Sequence, residues 1–600
     1  MRKVILLALA LCVAVCFCPL AAQAEGETMD GNFVKITTAE DFAGGECTAL
    51  EPFAVGDGAL RLTEGTTEGV FLSAVYRTAP WNDLVASWNA DTPRGTSVEI
   101  YARAYIPAYD GWSDGTTAYD GWTDWITWGE WSPYIERGCP MNADSHPRMD
   151  GETRGGWAFA NSYGSNGDSS LNINGGLTAE AFQLKAVLRA DGSQQAQPVL
   201  RLMAATFKNT DDPDWWAACS LTEEPVETPE AVLLDTPSLA QLIRDPDYGG
   251  VICSAVSMTM LLDGQGADLL PEEVALTCFD YGYGGNGNWS FTCAGAGAFG
   301  YESYVHYASF EGLRQELAAG HAVTLSVKYS NAQGGKYPYL QNAPTNTGGH
   351  LITIVGYYFN AEFNEYVYYS NDPATGSDMN TAHREYRESQ LSEAWYRRAA
   401  YFVHEKEDGA GQYARETHEG MLWSVEGQKD VYALVTDAGD VLQLPSDFTR
   451  MPRESFGEHG TLALIVSGEE AELPESVRRV TANHNFFYNL FNVNEDGYFV
   501  FTADLIPELL AQGTPPTIFV IFNSGVTYRA VASADAPVYT PGMAIPTASP
   551  TAAPTDTPTA TAGADASTGQ STAKGIWLPV AAGAAVVGAG AVGLLRKKKQ

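Results

Sequence analysis

Near the middle of the 600-residue chain the sequence reads Gly249-Gly250-Val251-Ile252-Cys253-Ser254, followed by an apolar run at 255–262 that closes with Asp263-Gly264. A glycine pair, a cysteine and an apolar run that stops at a glycine predict a helix beginning at the cysteine. The N-terminal end of a helix carries unpaired amides and a partial positive charge, and both favour thiolate over thiol. Cys253 is therefore a candidate nucleophile, although a free cysteine taken alone is more often a buried apolar residue.

Two later segments offer partners for a Cys253 thiolate. Thr347-Gly348-Gly349-His350 leads into an apolar, strongly β-forming run at 351–357, and a second strand-like run at 366–370 ends in Asn371-Asp372-Pro373. If these strands pair, Asp372 lies near His350, where a carboxylate accepts the second imidazole proton and supports the imidazolium. Taken singly, the histidine reads as structural and Asn-Asp-Pro as a turn. Together, the order cysteine, histidine, aspartate within one region is that of papain-like peptidases.

The same region resembles cysteine peptidase family thirty-nine, in its stand-alone extracellular branch; the founding members remove double-glycine leader peptides during bacteriocin export. The matching motifs are a glutamine before a cysteine helix, a Gly-His strand, an Asn-Asp-Pro and a Gly-Asn-Trp segment, here Gln241, Cys253, Gly349-His350, Asn371-Asp372-Pro373 and Gly284 to Trp289. The resemblance implies a papain-like α+β core in which Gln241 and the backbone amide of Cys253 bind the oxyanion. It is imperfect, because Ala255 stands where the family usually has a proline that starts the helix.

The chain is too long to fold around one hydrophobic core, so several domains are expected. Alternating segments such as 97–104 and 182–189 predict a β-sandwich at 25–222. This sandwich resembles the companion domain of the same branch through Ser87-Trp88-Asn89-Ala90-Asp91-Thr92-Pro93. A papain-like domain follows at 234–407, and a small β domain at 413–533.

Both termini predict export and anchoring. Residues 1–24 combine Arg2-Lys3, an apolar run and Ala22-Gln23-Ala24, which is typical of a cleaved signal peptide. A Pro/Thr/Ala-rich segment at 536–575 predicts an extended stalk. The uncharged stretch at 576–595, followed by a basic tail at 596–600, predicts one transmembrane helix with its basic end in the cytoplasm. We therefore expect an extracellular ectodomain held at the cell surface by a C-terminal membrane anchor.

Charge and motifs limit the partners. A formal net charge of -38 disfavours nucleic-acid binding, which depends on Lys and Arg. No metal or cofactor is predicted: His-Glu-x-x-His and Cys-x-x-Cys motifs are absent, and a calcium-like loop at 492–497 has Ala503 where its bidentate glutamate should be. A peptide or protein substrate is expected. The cluster of Trp122, Trp125, Trp128 and Trp131 leaves glycan binding by the sandwich open, although core tryptophans are the commoner explanation.

The cysteine count leaves the redox state open. Of nine cysteines, three lie in the signal peptide, so 9 − 3 = 6 remain. If Cys253 is free, at least one other cysteine is unpaired, and a disulfide between Cys278 and Cys293 is proposed by proximity alone.

Three functions follow from these features. The first is a cell-surface cysteine peptidase with a Cys-His-Asp triad and an acyl-enzyme intermediate. The second is a catalytically silent surface protein for adhesion or glycan binding. The third is a cell-wall amidase or acyl transferase, since the triad specifies acyl chemistry and not the acceptor.

Overall fold

The computed structural model describes residues 28–107, 121–123, 125–133, 150–153, 157–160, 170–173, 176–192, 196–215, 227–244, 248–280, 285–376, 378–406, 410–411, 416–444, 460–466, 491–502, 504–522 and 526–545. The signal peptide predicted at 1–24, the transmembrane helix predicted at 576–595 and the basic tail at 596–600 lie outside these residues, as does the predicted stalk beyond 545. Among the helices of the described ranges, none combines the length and the apolar character that crossing a membrane requires.

The N-terminal region consists of two β-sheets that pack face to face around one core. Its elements are β1 Phe33–Ile36, α1 Ala39–Ala43, β2 Glu46–Thr48, β3 Leu50–Phe53, β4 Ala59–Leu62, β5 Glu68–Leu72, β6 Tyr76–Trp81, β7 Asp83–Asp91, β8 Thr96–Tyr105, β9 Ile126–Trp131, β10 Asp150–Thr153, β11 Trp157–Ala160, β12 Leu171–Asn172, β13 Ala179–Ala190 and β14 Val199–Lys208. One sheet has the order β12-β7-β14-β4-β3 with β1 beside β14, the other β2-β5-β13-β8-β9 with β6 beside β13, and β10 and β11 form a hairpin. The predicted strands at 97–104 and 182–189 fall within β8 and β13, which pair antiparallel.

The tryptophans of the sandwich divide into core rings and half-buried rings. Trp128 and Trp131 are 1% and 0% exposed and belong to the core between the sheets, so these two cannot form a sugar-binding surface. Trp122 and Trp125 are half-buried, and the guanidinium of Arg103 lies 4.5 and 4.8 Å from their ring centroids. A cation already covers these two rings, so the described part of the cluster gives glycan binding no support.

The middle region has most of its helices in the first half and most of its strands in the second, which is the α+β order expected from the sequence. Its elements are β15 Ala231–Leu233, a 3-10 helix Gly249–Val251, α2 Cys253–Gly264, α3 Pro271–Thr277, α4 Trp289–Ala298, β16 Tyr301–Tyr307, α5 Phe310–Ala319, β17 Val323–Tyr329, β18 Thr347–Asn360, β19 Glu365–Asn371, α6 Asp378–Thr381, β20 Arg384–Arg387, α7 Glu388–Ala394 and β21 Trp395–Lys406. The strands form one sheet of order β16-β21-β17-β18-β19-β20, with β15 beside β18. Because Ala231 pairs with Tyr358, the sheet begins at 231 and not at the predicted boundary of 234.

Helix α4 is shared by the middle region and the sandwich. Every residue of the helix is buried. Phe291 belongs to the sandwich core, whereas Trp289 belongs to the core around α2. This close packing depends on glycine, because a Cβ at Gly297 would come within 2.7 to 2.9 Å of Asn89 on β7. The helix therefore fills the space between two cores.

The side chain of Asn89 also joins the two regions. Its Nδ2 donates to the Ser303 carbonyl at 2.8 Å, and its Oδ1 accepts from the Ser303 amide at 2.9 Å. The Asn89 amide thus pairs with the backbone of β16 as a neighbouring strand would. The part of the companion-domain motif at 87–91 therefore lies on the strand of the sandwich that contacts the middle region.

The C-terminal region is built on a nine-stranded mixed sheet. Its elements are β22 Glu416–Val425, β23 Val431–Thr436, β24 Val441–Leu442, β25 Gly460–Val466, β26 Phe491–Val493, β27 Phe499–Phe501, α8 Leu505–Ala511, β28 Pro516–Phe522, β29 Val526–Ala532 and β30 Val538–Tyr539. Two details differ from the prediction. The region contains a helix, α8, and β30 pairs in parallel with Ser424 and Val425, so the sheet extends past 533 into the stretch predicted as stalk from 536.

The predicted disulfide between Cys278 and Cys293 is wrong. Both residues are free thiols and fully buried, and burial raises the pKa of each to about 12. Cys278 instead accepts a hydrogen bond from Asn286 Nδ2 at 3.5 Å. Cys47 and Cys253 are also free, whereas Cys139 and Cys219 lie outside the described residues.

Candidate active site

Helix α2 carries Cys253 at its first position, as the sequence predicts. The 3-10 turn at Gly249–Val251 leads almost directly into the helix, so the missing proline at Ala255 does not shift its start. Cys253 is half-buried, whereas the residues at 254–262 are all buried. The helix is therefore embedded in the protein with its thiol end partly accessible.

Hydroxyl groups on α2 fix the helix against neighbouring elements. Ser254 Oγ shares hydrogen bonds with Thr292 Oγ1 on α4 and with the Tyr401 hydroxyl on β21, at 2.9 and 3.0 Å. Ser257 Oγ donates to the Leu351 carbonyl on β18 at 3.0 Å. Because Leu351 directly follows His350, this last bond ties the cysteine helix to the histidine strand.

Strands β18 and β19 bring His350 and Asp372 together at one end of the sheet. They pair antiparallel, with Thr353 opposite Asn371. His350 Nε2 lies 2.8 Å from Asp372 Oδ1, and both residues are buried. Since Nε2 donates to the carboxylate, Nδ1 is the ring nitrogen left for the thiol. His350 also interacts electrostatically with the Cys253 thiol and lowers its pKa, so three of the predicted site residues act on one another.

Two tyrosines that the sequence analysis missed complete the surroundings of Asp372. Its Oδ2 accepts hydrogen bonds from the hydroxyls of Tyr329 and Tyr386, each at 2.9 Å. Its Oδ1 accepts from the Ala374 amide at 3.1 Å as well as from the imidazole. A buried carboxylate is costly unless its oxygens are paired, and here four donors pair them. The ring of Tyr329 also packs edge-on to His350, with centroids 5.9 Å apart.

The charges of the three groups support one another. Burial alone would raise the pKa of the Cys253 thiol, but the hydrogen bond and charge of His350 lower that pKa below its ordinary value. Burial alone would lower the pKa of His350, yet the charge and hydrogen bond of Asp372 raise it to about 10. Desolvation opposes ionisation of Asp372, and the imidazolium nevertheless keeps the pKa of this carboxyl lowered. These shifts favour the thiolate–imidazolium pair over the neutral thiol and imidazole.

Gln241 lies beside the turn that leads into the cysteine helix. Its Nε2 donates to the Gly250 carbonyl at 3.0 Å, and its backbone amide donates to the Pro373 carbonyl at 2.8 Å. These contacts link Gln241 to the segments that carry Cys253 and Asp372. The side-chain nitrogen has two hydrogens, so the bond to Gly250 leaves capacity for a second acceptor such as an oxyanion. The oxyanion role of Gln241 stays a prediction.

The arrangement matches what acyl transfer to sulfur requires. It offers a half-buried cysteine, a histidine that lowers the pKa of its thiol, and a buried carboxylate that orients the histidine. Residues 233–401 match the model of the peptidase C39 like family. The middle region is a C39-like domain. Its match includes all four predicted site residues, and it begins within β15 and ends within β21. A search of curated proteins finds no significant match to the chain.

Proposed function

We propose that the chain is an active cysteine peptidase of papain-like design that hydrolyses peptide bonds through an acyl-enzyme on Cys253. The observation that supports this most is the buried pair of His350 and Asp372, 2.8 Å apart, together with the pKa of the Cys253 thiol, which His350 lowers. Members of the C39-like family can be inactive, so the family match alone does not decide activity. A domain kept only as a scaffold has no need for a buried carboxylate paired to the base of a thiol, because burying such a charge is costly.

The proposed reaction uses each group in turn. The Cys253 thiolate attacks the carbonyl carbon of a peptide bond, and the backbone amide of Cys253 with Gln241 Nε2 holds the oxyanion. The His350 imidazolium then gives its proton to the leaving amine as the tetrahedral intermediate collapses to a thioester. Water, deprotonated by neutral His350, attacks the thioester and releases the acid, which restores the ion pair. Asp372 holds the imidazole in the required tautomer throughout.

The proposed setting is outside the cell. Support comes from the sequence of the two ends, where a signal peptide is predicted at 1–24, a stalk in the Pro/Thr/Ala-rich residues after β30, and a transmembrane helix at 576–595. A peptidase held there acts on peptides or proteins at the cell surface.

The test is covalent labelling of the full chain with an electrophilic peptidyl probe, combined with turnover of a peptide library followed by mass spectrometry. The wild-type chain should be labelled once at Cys253 and should cleave peptides, and Cys253→Ala should lose both. Cys47→Ala is the matched control, because Cys47 is a free and exposed cysteine, and it should keep both.

Three results would overturn the proposal. Labelling and turnover that survive Cys253→Ala would exclude the assigned nucleophile. A labelled chain that forms only transfer products or opens cell-wall amides would point to the amidase or transferase. A folded wild-type chain with neither labelling nor turnover would favour the catalytically silent binding protein.

A further inference from the structure

A second group of titratable side chains lies in the C39-like domain, away from Cys253. Glu316 is on α5, His321 follows the end of that helix, and His404 is near the end of β21. Glu316 is 8% exposed, and the side chains of His321 and His404 are 15% and 20% exposed. The proposed peptidase mechanism uses none of these residues. We call them the His–Glu cluster.

The donor atoms of the His–Glu cluster converge on one point. Glu316 Oε2 lies 3.1 Å from His404 Nε2 and 3.3 Å from His321 Nδ1. One donor atom from each residue can be chosen so that all three lie within 4.8 Å of one another. A tetrahedral zinc ion with bonds of about 2.0 to 2.2 Å spaces its ligands roughly 3.3 to 3.5 Å apart. The two separations that involve Glu316 are close to that spacing, and the separation between the two histidine nitrogens is at most 4.8 Å.

The outer nitrogen of each imidazole is bonded to a further carboxylate. His404 Nδ1 lies 3.0 Å from Glu302 Oε1, and His321 Nε2 lies 3.0 Å from Glu405 Oε1. Glu302 is in turn held by Lys35 Nζ at 2.9 Å, from β1 of the sandwich. Histidines that bind a metal characteristically donate their other ring N–H to a carboxylate, which fixes the tautomer and orients the ring. Both histidines of the cluster have this outer partner, and their inner nitrogens face Glu316.

The cluster is also open to solvent. His404, Glu302 and Glu405 line a cleft of about 740 Å³, together with a loop of the sandwich at 54–57. The cleft therefore brings solvent to the side of the cluster formed by His404 and the two outer carboxylates. Two imidazoles and one carboxylate suit zinc and its neighbours among the transition metals, whereas calcium and magnesium prefer oxygen ligands alone.

We propose that Glu316, His321 and His404 bind a divalent transition metal ion of the zinc class, with Glu302 and Glu405 orienting the two imidazoles. The ion joins α5, the segment before β17 and β21. Through Glu302 and Lys35 it also connects to the sandwich. A metal that binds only the folded chain raises its stability in proportion to the free metal concentration, so the site is a stabilising one.

The test uses the full chain with Cys253→Ala throughout, so that zinc cannot be captured by the active-site thiolate. After treatment with a chelator, Zn²⁺ is titrated by calorimetry, Co²⁺ by its ligand-field absorption, and thermal unfolding is followed at each metal concentration. We expect one high-affinity zinc whose binding raises the unfolding temperature, and a Co²⁺ spectrum typical of nitrogen and oxygen ligands in tetrahedral geometry.

Substitutions then locate the ion. Glu302→Gln removes only an orienting carboxylate and should weaken binding by about 10- to 100-fold. His321→Ala and His404→Ala each remove a ligand and should weaken it further. His418→Ala, on β22, is the matched control and should leave the titration unchanged. The two ligand histidines are substituted in separate variants. A misfolded variant is recognised by its unfolding curve without metal, and the other variant then still tests the site.

Two results would overturn the proposal. The first is the absence of any saturable zinc or cobalt binding, which would make the cluster a hydrogen-bonded His–Glu network only. The second is binding that none of Glu302→Gln, His321→Ala and His404→Ala weakens, which would place the metal elsewhere.

Discussion

The C39-like domain holds two assemblies of histidine and carboxylate at opposite ends of β17. Tyr329, at the end of β17, donates to Asp372 in the active site, whereas His321 precedes β17 and belongs to the His–Glu cluster. At roughly 3.3 Å per residue the strand separates the two by about 20 Å. Each contains an imidazole bonded to a carboxylate at about 3 Å, yet we propose different chemistry for each.

The difference lies in what faces the second ring nitrogen. In the active site one nitrogen of His350 faces the fully buried Asp372 and the other a thiol, so a proton can move between sulfur and ring. In the cluster both nitrogens of His404 face carboxylates, Glu302 and Glu316. With a carboxylate on each side, the His404 ring has no nucleophile to activate. It can serve as a metal ligand or as a charged partner of the carboxylates. The group that faces the second ring nitrogen thus decides the chemistry of each histidine.

The largest effect is expected from a substitution that disables the active site and leaves the His–Glu cluster intact. His350→Ala removes the base that bonds to the thiol, and kcat/KM for a peptide substrate should fall by at least roughly a thousandfold. The substitution should leave zinc titration of the cluster unchanged. His418→Ala should keep full turnover, since His418 stacks on Tyr528 in the C-terminal sheet. Loss of zinc binding in His350→Ala would show that the two assemblies are not independent.

A second prediction concerns pH. Since the thiolate is the reactive species and His350 lowers the pKa of Cys253, alkylation of Cys253 by iodoacetamide should reach half its maximal rate below pH 9.0, the ordinary value. In His350→Ala the burial that raises this pKa is opposed only by the backbone hydrogen bonds of Leu351 and Ser254, so alkylation at pH 7 should slow by about tenfold or more. Turnover should rise as the thiol ionises and fall again near pH 10, where His350 loses its proton.

Mass spectrometry of the peptide that contains Cys253 separates its alkylation from that of Cys47, which serves as an internal reference. An alkylation midpoint that is the same with and without His350 would contradict the ion pair.

The smallest effect is expected when one of the tyrosine hydroxyls that donate to Asp372 is removed. Tyr386→Phe removes one of the donors to Asp372, a hydrogen bond to a charged group worth about 1.5 to 3 kcal/mol. Turnover should fall several-fold and its alkaline limb should move, because Asp372 supports the imidazolium less well. Both are read from the pH profile of kcat, alongside the unfolding temperature.

Tyr368→Phe is the matched control for Tyr386→Phe. The hydroxyl of Tyr368, on β19 of the same sheet, donates to another carboxylate, that of Glu388 on α7, at 2.7 Å. This control should lose similar stability without changing the pH profile. If both variants changed the profile equally, Tyr386 would act through the fold and not through Asp372.

Local pattern was enough to predict the elements of the active site. The apolar run after Cys253 is long enough for a helix, and α2 begins at that residue. The β-forming runs around His350 and Asp372 became β18 and β19, and their antiparallel pairing brings the two side chains together. These features depend on periodicity and on residues near one another in the chain, which a single sequence displays.

Contacts that depend on sheet register could not be predicted in this way. Tyr329 lies 43 residues from Asp372, and His404 lies 88 residues from Glu316. No spacing rule connects such residues, because only the order β21-β17-β18-β19-β20 makes them neighbours. The same holds for β30, whose two residues form a strand only because β22 continues past the end of its pairing with β29. The Cys278–Cys293 disulfide failed for a related reason, since nearness in sequence does not imply that two sulfurs are bonded.

Helix α4 has a consequence for how this protein can be divided. The family match at 233–401 includes the whole helix, but Phe291 packs in the sandwich core and the Ser303 backbone is paired by Asn89. A fragment cut at the family boundaries would expose an aromatic face to water and leave backbone groups without their partner. The unit of homology is therefore smaller than the unit of folding. Recombination or transplantation of the C39-like domain must carry the sandwich with it.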